Sequence, residues 1–101
     1  GARIDSVTLV GGGSRSSYWA QLLADVLGRR LDRRSGSEVG AALGAARLGR
    51  LACTGEAAQE VCAAPPLADS FEPDMARHAA FAERHARFGR LYGALRAEMR
   101  T

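Results

Sequence analysis

The residues best suited to chemistry form a glycine-rich turn near the start of the chain. Gly11, Gly12 and Gly13 follow a short segment rich in β-branched residues and precede a helical pattern. Glycine lets the backbone turn through positive φ and lets a ligand approach the main-chain amides closely. The helix that follows adds unpaired N–H groups and the positive end of its dipole, which attract anions. The turn is therefore either a phosphate-binding turn or a tight connection that binds nothing, and the three glycines alone do not decide between them.

The other residues that often carry chemistry give no such signal. Cys53 and Cys62 lie nine positions apart with no histidine at metal-ligand spacing, so we expect two reduced, half-buried thiols. His85 falls on an apolar stripe and is expected at the edge of the core, whereas His78 is expected at the surface. The sequence contains no hydrolytic triad pattern, HExxH, Gly-Lys-Ser loop or Cys-x-x-Cys. We therefore predict no catalytic residue and no metal ligand in this chain.

The elements that position the turn can be predicted from periodicity. A strand over residues 4–10 leads into the glycines, and a helix then runs to Gly28, a typical residue after a helix end. The apolar stripe predicted for this helix comprises Tyr18, Trp19, Leu22, Leu23, Val26 and Leu27. A short second strand over residues 31–34, close to a sheet edge, follows. The pattern predicts two short strands with helices packed on them.

The second half of the chain is predicted to be mostly helical. A turn at residues 35–37 and an acidic Glu38 start a helix over residues 39–51. Gly40 and Gly44 lie on one face of it, which indicates close packing there, more simply by a neighbouring backbone than by a ligand. The predicted remainder is a short helix over 56–61, an irregular stretch over 65–73 and a long helix over 74–99. That last helix would be about 39 Å long, whereas a compact domain of this size has a diameter of about 34 Å. The helix should therefore extend beyond the rest of the chain.

Composition excludes several classes of protein. The 101 residues suffice for one small core, and the net charge of +3 comes from basic residues scattered among eleven carboxylates, which does not indicate a nucleic-acid partner. No apolar run approaches the roughly 20 residues that cross a bilayer, so no membrane partner is expected. The chain does not open on a charged segment followed by an apolar one, and a cytoplasmic location is the default expectation.

Three segments together resemble the FGGY family of carbohydrate kinases. They are residues 9–19 around the glycine turn, residues 22–28, and the Glu-x-x-x-Ala-x-Gly-Ala-Ala pattern of residues 38–46. The aromatic spacing of residues 71–95 is similar to the closing helix of that family, so the resemblance covers nearly the whole chain. Within the family, the bacterial xylulose kinases are the members it resembles most, ahead of the gluconate, glycerol and rhamnulose kinases.

The resemblance implies an α/β fold, the C-terminal portion of an actin-like ATPase (ribonuclease H-like) kinase domain. Two such domains close over ATP and sugar, with residues 1–101 as the C-terminal part of the second, nucleotide-facing domain and residues 74–99 as its closing helix. Gly11, Gly12 and Gly13 would place their backbone against the phosphates and ribose of ATP. Ser16 stands where many relatives direct an asparagine at the adenosine. The implied reaction converts D-xylulose and ATP to D-xylulose 5-phosphate and ADP.

The catalytic aspartate, the ligands of Mg and the sugar-contacting groups of the family all belong to segments upstream of this chain. The resemblance therefore implies that the 101 residues alone are inactive, because phosphoryl transfer needs those groups around the nucleotide. Sugar choice would also be determined upstream.

Two other functions fit parts of the sequence. A dinucleotide-binding βαβ unit would use Gly11-x-Gly13, with Asp32 about twenty residues on to bind the ribose of NAD, and Arg33 or Arg34 to bind the 2′-phosphate of NADP. Ser16 stands where that motif needs its third glycine. A non-enzymatic interaction module would use the apolar stripe of the last helix to bind a partner helix or a second copy, so self-association of the chain is also predicted.

Overall fold

The computed structural model describes residues 1–100, which form three strands and four α-helices. Two 3₁₀ turns, Gly12–Arg15 and Ser37–Val39, precede the first and second helices. The strands and helices in chain order are β1 (Ser6–Thr8), α1 (Ser17–Leu27), β2 (Arg30–Arg34), α2 (Gly40–Thr54), α3 (Ala58–Val61), β3 (Leu67–Phe71) and α4 (Met75–Leu95).

The sheet has the order β1-β2-β3, with β1 parallel and β3 antiparallel to β2. Leu31 at the centre of β2 pairs with Val7 on one side and Phe71 on the other, and it is almost fully buried. The prediction of an irregular stretch over residues 65–73 is wrong, because β3 lies within it. The prediction that the second strand lies close to a sheet edge is also wrong, because β3 makes β2 the central strand. The α/β class with a long last helix is confirmed.

The first helix has the predicted bounds but a different buried face. Gly28 ends it in the left-handed conformation, as expected, with φ of 62°. Its fully buried residues are Ala20, Ala24 and Asp25, while Tyr18 and Trp19 of the predicted stripe are exposed. Small side chains on this face let α1 lie close to its neighbours, and the core of the described residues is correspondingly small.

The last helix packs on α1 through its first turns only. Asp74 caps it, since the Asp74 carboxylate accepts hydrogen bonds from the amides of Ala76 and Arg77. From residue 82 to residue 100 every residue is exposed. The radius of gyration of 17.6 Å, against about 13 Å for a compact hundred-residue domain, agrees with the predicted overhang.

Several predicted burials are wrong. His78 is half-buried against the end of α1, and His85 is exposed, which is the reverse of the expectation. Cys53 and Cys62 are both exposed rather than half-buried. These errors share a cause, because burial depends on which helix faces meet in the tertiary structure. Within residues 1–100, no helix combines the length and the apolar character that a membrane span requires.

Candidate functional site at the glycine turn

The glycine turn has a backbone that only glycine adopts readily. Gly11 has φ of 92° and ψ of 179°, a combination essentially restricted to glycine. Its amide donates to the Ser37 carbonyl at 2.9 Å, and its carbonyl accepts from the Ser14 amide at 3.0 Å. Within residues 1–100, and apart from the adjoining backbone of the turn itself, no heavy atom lies within 4 Å of the position that a Cβ would take at Gly11, Gly12 or Gly13. The turn is therefore fixed at its base and open on its outer side.

The structure brings the two sequence motifs into direct contact. Gly40, the first residue of α2, has φ of 40°, and a Cβ there would lie 3.9 Å from the Gly11 amide nitrogen. The Ser37 hydroxyl donates to the Ser14 hydroxyl at 3.1 Å, and both serines are buried. The expected neighbouring backbone does lie beside Gly40, but 3.9 Å is an ordinary van der Waals distance, so the positive φ of Gly40, and not close packing, requires a glycine there. No atom lies within 4 Å of a Cβ built at Gly44, so that part of the expectation is wrong within the described residues.

Ser16 links the turn to α1. Its amide donates to the Gly13 carbonyl at 3.1 Å, and its hydroxyl accepts from the Trp19 amide at 3.2 Å as the helix cap. The hydroxyl proton remains available for donation to a further acceptor, since this cap uses the oxygen as an acceptor.

Arg33 on β2 holds the far end of the 3₁₀ turn. Its Nη1 donates to the carbonyls of Ser14, at 2.9 Å, and Arg15, at 3.4 Å. Its Nη2 donates to the Ser17 hydroxyl at 3.3 Å and to Asp69 Oδ2 at 2.6 Å. This contact was not predicted from the sequence, because nothing local in a strand sequence indicates a contact with a turn 18 residues away.

Two open clefts flank the contact between the motifs. One, of about 320 Å³, is lined by Arg15, Arg33 and Arg34 together with serines of both turns. The other, of about 220 Å³, lies between β1 and the start of α2 and is lined by Val10, Gly40 and Gly44 among others. The first cleft, which also contains Glu38, thus borders the end of the glycine turn at Ser14 and Arg15, and the second borders the small residues of α2.

Two buried carboxylates stabilise the frame around the site. The Ser70 hydroxyl donates to Asp32 at 2.8 Å and, with help from Arg30, lowers the pKa of Asp32 despite burial. The Asp74 amide donates to Asp25 at 2.8 Å and is the main reason why the pKa of Asp25 is lowered. Both groups are therefore ionised at neutral pH and engaged in internal bonds.

No group of three or more His, Cys, Asp or Glu side chains within residues 1–100 is placed to hold a metal ion. The turn offers instead the main-chain amides of Gly12 and Gly13, the Ser16 hydroxyl and the exposed guanidinium group of Arg15. That donor set suits an anion such as a phosphate.

The segment that contains the glycine turn and most of α2 also matches a known protein family. The model of the FGGY family of carbohydrate kinases, C-terminal domain, matches residues 1–53, which is more than half of the chain. The chain belongs to the FGGY family of carbohydrate kinases. The resemblance seen in the glycine turn and the Gly40 helix is thereby confirmed.

Relatives of this FGGY chain include two curated enzymes. It is 50% identical over 93 residues to the xylulose kinase of Escherichia coli (strain K12), covering 91% of this chain and 19% of that one. It is 43% identical over 96 residues to the xylulose kinase of Klebsiella pneumoniae, covering 94% of this chain and 20% of that one. The chain therefore spans about a fifth of the length of these relatives.

Solved structures agree with the FGGY assignment. A xylulose kinase from Brucella ovis superposes with a TM-score of 0.73 at 42% identity, over 96% of this chain and 20% of that one. A xylulose kinase from Rhodospirillum rubrum superposes with a TM-score of 0.55 at 30% identity, over 90% of this chain and 19% of that one. A xylulose kinase from Lactobacillus acidophilus superposes with a TM-score of 0.71 over 95% of this chain and 20% of that one. Its sequence identity is 18%, so it supports the fold alone.

Proposed function

We propose that this chain is the nucleotide-facing C-terminal segment of a xylulose kinase, which transfers the γ-phosphoryl group of ATP to a hydroxyl of D-xylulose and yields D-xylulose 5-phosphate. The identities of 50% and 43% to two xylulose kinases support the choice of sugar. Because the chain spans about a fifth of those enzymes, the reaction belongs to the whole protein that carries it. A kinase that draws on ATP is expected in the cytoplasm.

The observation that carries the proposal is the open glycine turn held against the start of α2. Gly12 and Gly13 begin a 3₁₀ turn, where amides lack partners inside the turn. The absence of any atom within 4 Å of their Cβ positions leaves room for phosphate oxygens and ribose to reach those amides. Ser16 lies at the following helix start, where its hydroxyl can donate to the nucleoside.

This chain's contribution to phosphoryl transfer would be binding and orientation. ATP supplies the reactive γ-phosphoryl group, and enzymes of this chemistry act mainly by positioning and by stabilising charge. The bond from Gly11 to the Ser37 carbonyl fixes the turn before the nucleotide arrives, so little ordering is left to do on binding. The carboxylates that hold Mg are expected in the part of the protein outside this chain, as is the catalytic aspartate.

The full-length protein that carries this chain provides the test. We expect ATP-dependent phosphorylation of D-xylulose with higher kcat/KM than of glycerol, gluconate or rhamnulose. Gly13→Val should raise KM for ATP, because a branched side chain would fill the space in front of the turn. Gly89→Val, a matched control at an exposed position of α4 with nothing within 4 Å, should leave KM for ATP unchanged. Phosphorylation of none of these sugars, or equal KM values in the two variants, would contradict the proposal.

The structure does not favour the dinucleotide-binding alternative. A ribose-binding carboxylate must be free at the end of the second strand. Asp32 is 3% exposed and already accepts hydrogen bonds from Ser70 and Arg30. The strand β3, which lies beside β2 on the side away from β1, is also antiparallel to β2, whereas a dinucleotide-binding sheet continues with parallel strands.

A further inference from the structure

Arg33 uses its whole guanidinium group inside the chain. Its Nε and Nη2 both donate to Asp69 Oδ2, at 3.0 and 2.6 Å, and its Nη1 and Nη2 supply the contacts to Ser14, Arg15 and Ser17 described above. An arginine has five N–H donors, and these bonds occupy all five. The group also lies over the Phe71 ring, 5.3 Å from its centre. No donor of Arg33 is left for a ligand.

The atoms that Arg33 binds lie at the end of the glycine turn. The carbonyls of Ser14 and Arg15 close the 3₁₀ turn Gly12–Arg15, and the Ser17 hydroxyl begins α1. Carbonyls at the end of a helical turn carry partial negative charge and lack partners within the turn, so a cation there is favourable. On its other side the guanidinium group of Arg33 is held by β3, because Asp69 and Phe71 both belong to that strand.

We propose that Arg33, held in place by Asp69, is a positioning residue that fixes the glycine turn for nucleotide binding. The inference deepens the proposed function and rests on it. Ser37 fixes the start of the turn through Gly11, and Arg33 fixes its end through Ser14 and Arg15. With both ends held, the amides of Gly12 and Gly13 keep one direction, and binding needs no reordering of the backbone.

Two substitutions separate positioning from direct charge attraction to the phosphates. Arg33→Lys keeps the positive charge but loses the planar fork that reaches three elements at once. Asp69→Asn removes a negative charge and the anchor while leaving Arg33 intact. Direct attraction predicts unchanged binding of ATP in the first variant and tighter binding in the second. Positioning predicts weaker binding in both.

The experiment uses the full-length protein that carries this chain. We expect both variants to raise Kd and KM for ATP about five- to tenfold, since a small misplacement of a binding group has a large effect, while KM for the sugar changes less than about twofold. Arg50→Gln removes another arginine–carboxylate pair, that of Arg50 and Glu56, which does not contact the turn, and should leave all three constants unchanged.

Hydrogen–deuterium exchange of the protein without nucleotide supplies a second readout. The amides of residues 12–17 should exchange at least about fivefold faster in Arg33→Lys and Asp69→Asn than in the wild type, because their turn loses its anchor. Unchanged exchange there, or ATP binding as tight as wild type in Asp69→Asn, would overturn the inference. If the wild type binds no ATP, the proposed function fails, and the exchange data still decide whether Arg33 fixes the turn.

Discussion

Gly11 and Gly13 occupy one turn for different physical reasons. Gly11 has a backbone conformation essentially restricted to glycine, whereas Gly13 does not have positive φ. Neither has a neighbour within 4 Å of its Cβ position. Gly11 is therefore required by the fold, and Gly13 is required only if a ligand approaches the turn.

Alanine substitutions should separate these two requirements. Gly11→Ala should lower the free energy of unfolding by about 1–3 kcal/mol, the usual cost of such a backbone conformation. Gly13→Ala should leave it unchanged or raise it by up to about 1 kcal/mol, because alanine restricts the unfolded chain. Urea unfolding of the full-length protein measures both. Equal destabilisation by the two substitutions would contradict this division of roles.

Residue-level prediction from sequence succeeded where the signal was local. Three glycines between a strand and a helix indicate a turn without reference to the rest of the chain, and Gly28 ended its helix as predicted. Arg33 and Asp25 gave no comparable signal, since the side-chain partners of Arg33 lie up to 36 residues away and those of Asp25 up to 52 residues away. The nucleotide-binding roles of Gly11, Gly12, Gly13 and Ser16 stay predictions.

At the level of elements, the junction of α1 with the start of α4 depends on the buried Asp25. Asp25 is fully buried, and it accepts hydrogen bonds from the Asp74 amide and from Gln21. Arg77 lies 3.5 Å from its other oxygen, which has no hydrogen-bond partner within the described residues. The carboxylate thus joins the two helices through groups that favour its ionised form.

We expect Asp25 to make stability depend on acid pH. Its folded pKa lies below the usual value, so its contribution is complete above the unfolded pKa of about 3.9 and is lost as pH falls through the folded pKa. Asp25→Asn should cost about 1–3 kcal/mol at pH 7 and flatten the dependence of stability on pH below about 4. Urea unfolding between pH 3 and 7 measures this. Asp5→Asn is the control, because the Asp5 side chain is 73% exposed and pairs with the exposed Arg3. If the free energy of unfolding of Asp25→Asn depended on pH as steeply as that of the wild type, the role of Asp25 would be refuted.

The same junction makes Gly28 irreplaceable. A Cβ at Gly28 would lie 2.8 Å from Cε1 of His78, whose Nδ1 faces the carbonyls of Asp25 and Val26 at 3.0 and 3.1 Å. Gly28→Ala should destabilise the protein by more than the roughly 1–2 kcal/mol of left-handed strain alone. In a double-mutant cycle, His78→Ala should reduce that cost, because it removes the ring that the new methyl group meets. Purely additive effects would contradict a clash at this position.

Elements were predicted well where the pattern of one segment determined them. The end of α1 at Gly28 and the start of α4 were predicted from local apolar spacing and from the glycine that typically follows a helix, whereas α4 ends at Leu95 and not at residue 99 as predicted. Strand β3 was missed because Leu-Ala-Asp-Ser-Phe follows two prolines and has little strand pattern of its own. Its hydrogen bonds with β2, more than 30 residues earlier, make it a strand.

For the whole molecule, the exposed outer half of α4 predicts association of the chain in isolation. Phe88 is 70% exposed and Leu95 53%, and they lie on one stripe of the helix with Leu91 and Tyr92. We expect the 101-residue chain alone to self-associate with rising concentration, because such a stripe gains by being covered. Sedimentation velocity should detect this, and Phe88→Ser with Leu95→Ser should reverse it, whereas Arg90→Ser on the opposite side should not. A monomer at all concentrations would contradict the prediction.

By itself, the chain should be unable to transfer a phosphoryl group. Within residues 1–100 the open glycine turn can hold a nucleotide, but no cluster of side chains there is placed to bind a metal ion. Phosphoryl transfer requires that charge on the phosphates be neutralised and that the sugar hydroxyl be positioned. The 101 residues alone should therefore form no D-xylulose 5-phosphate from ATP, while the full-length protein does. A coupled assay of ADP release with and without D-xylulose measures this, and sugar-dependent turnover by the 101 residues would refute it.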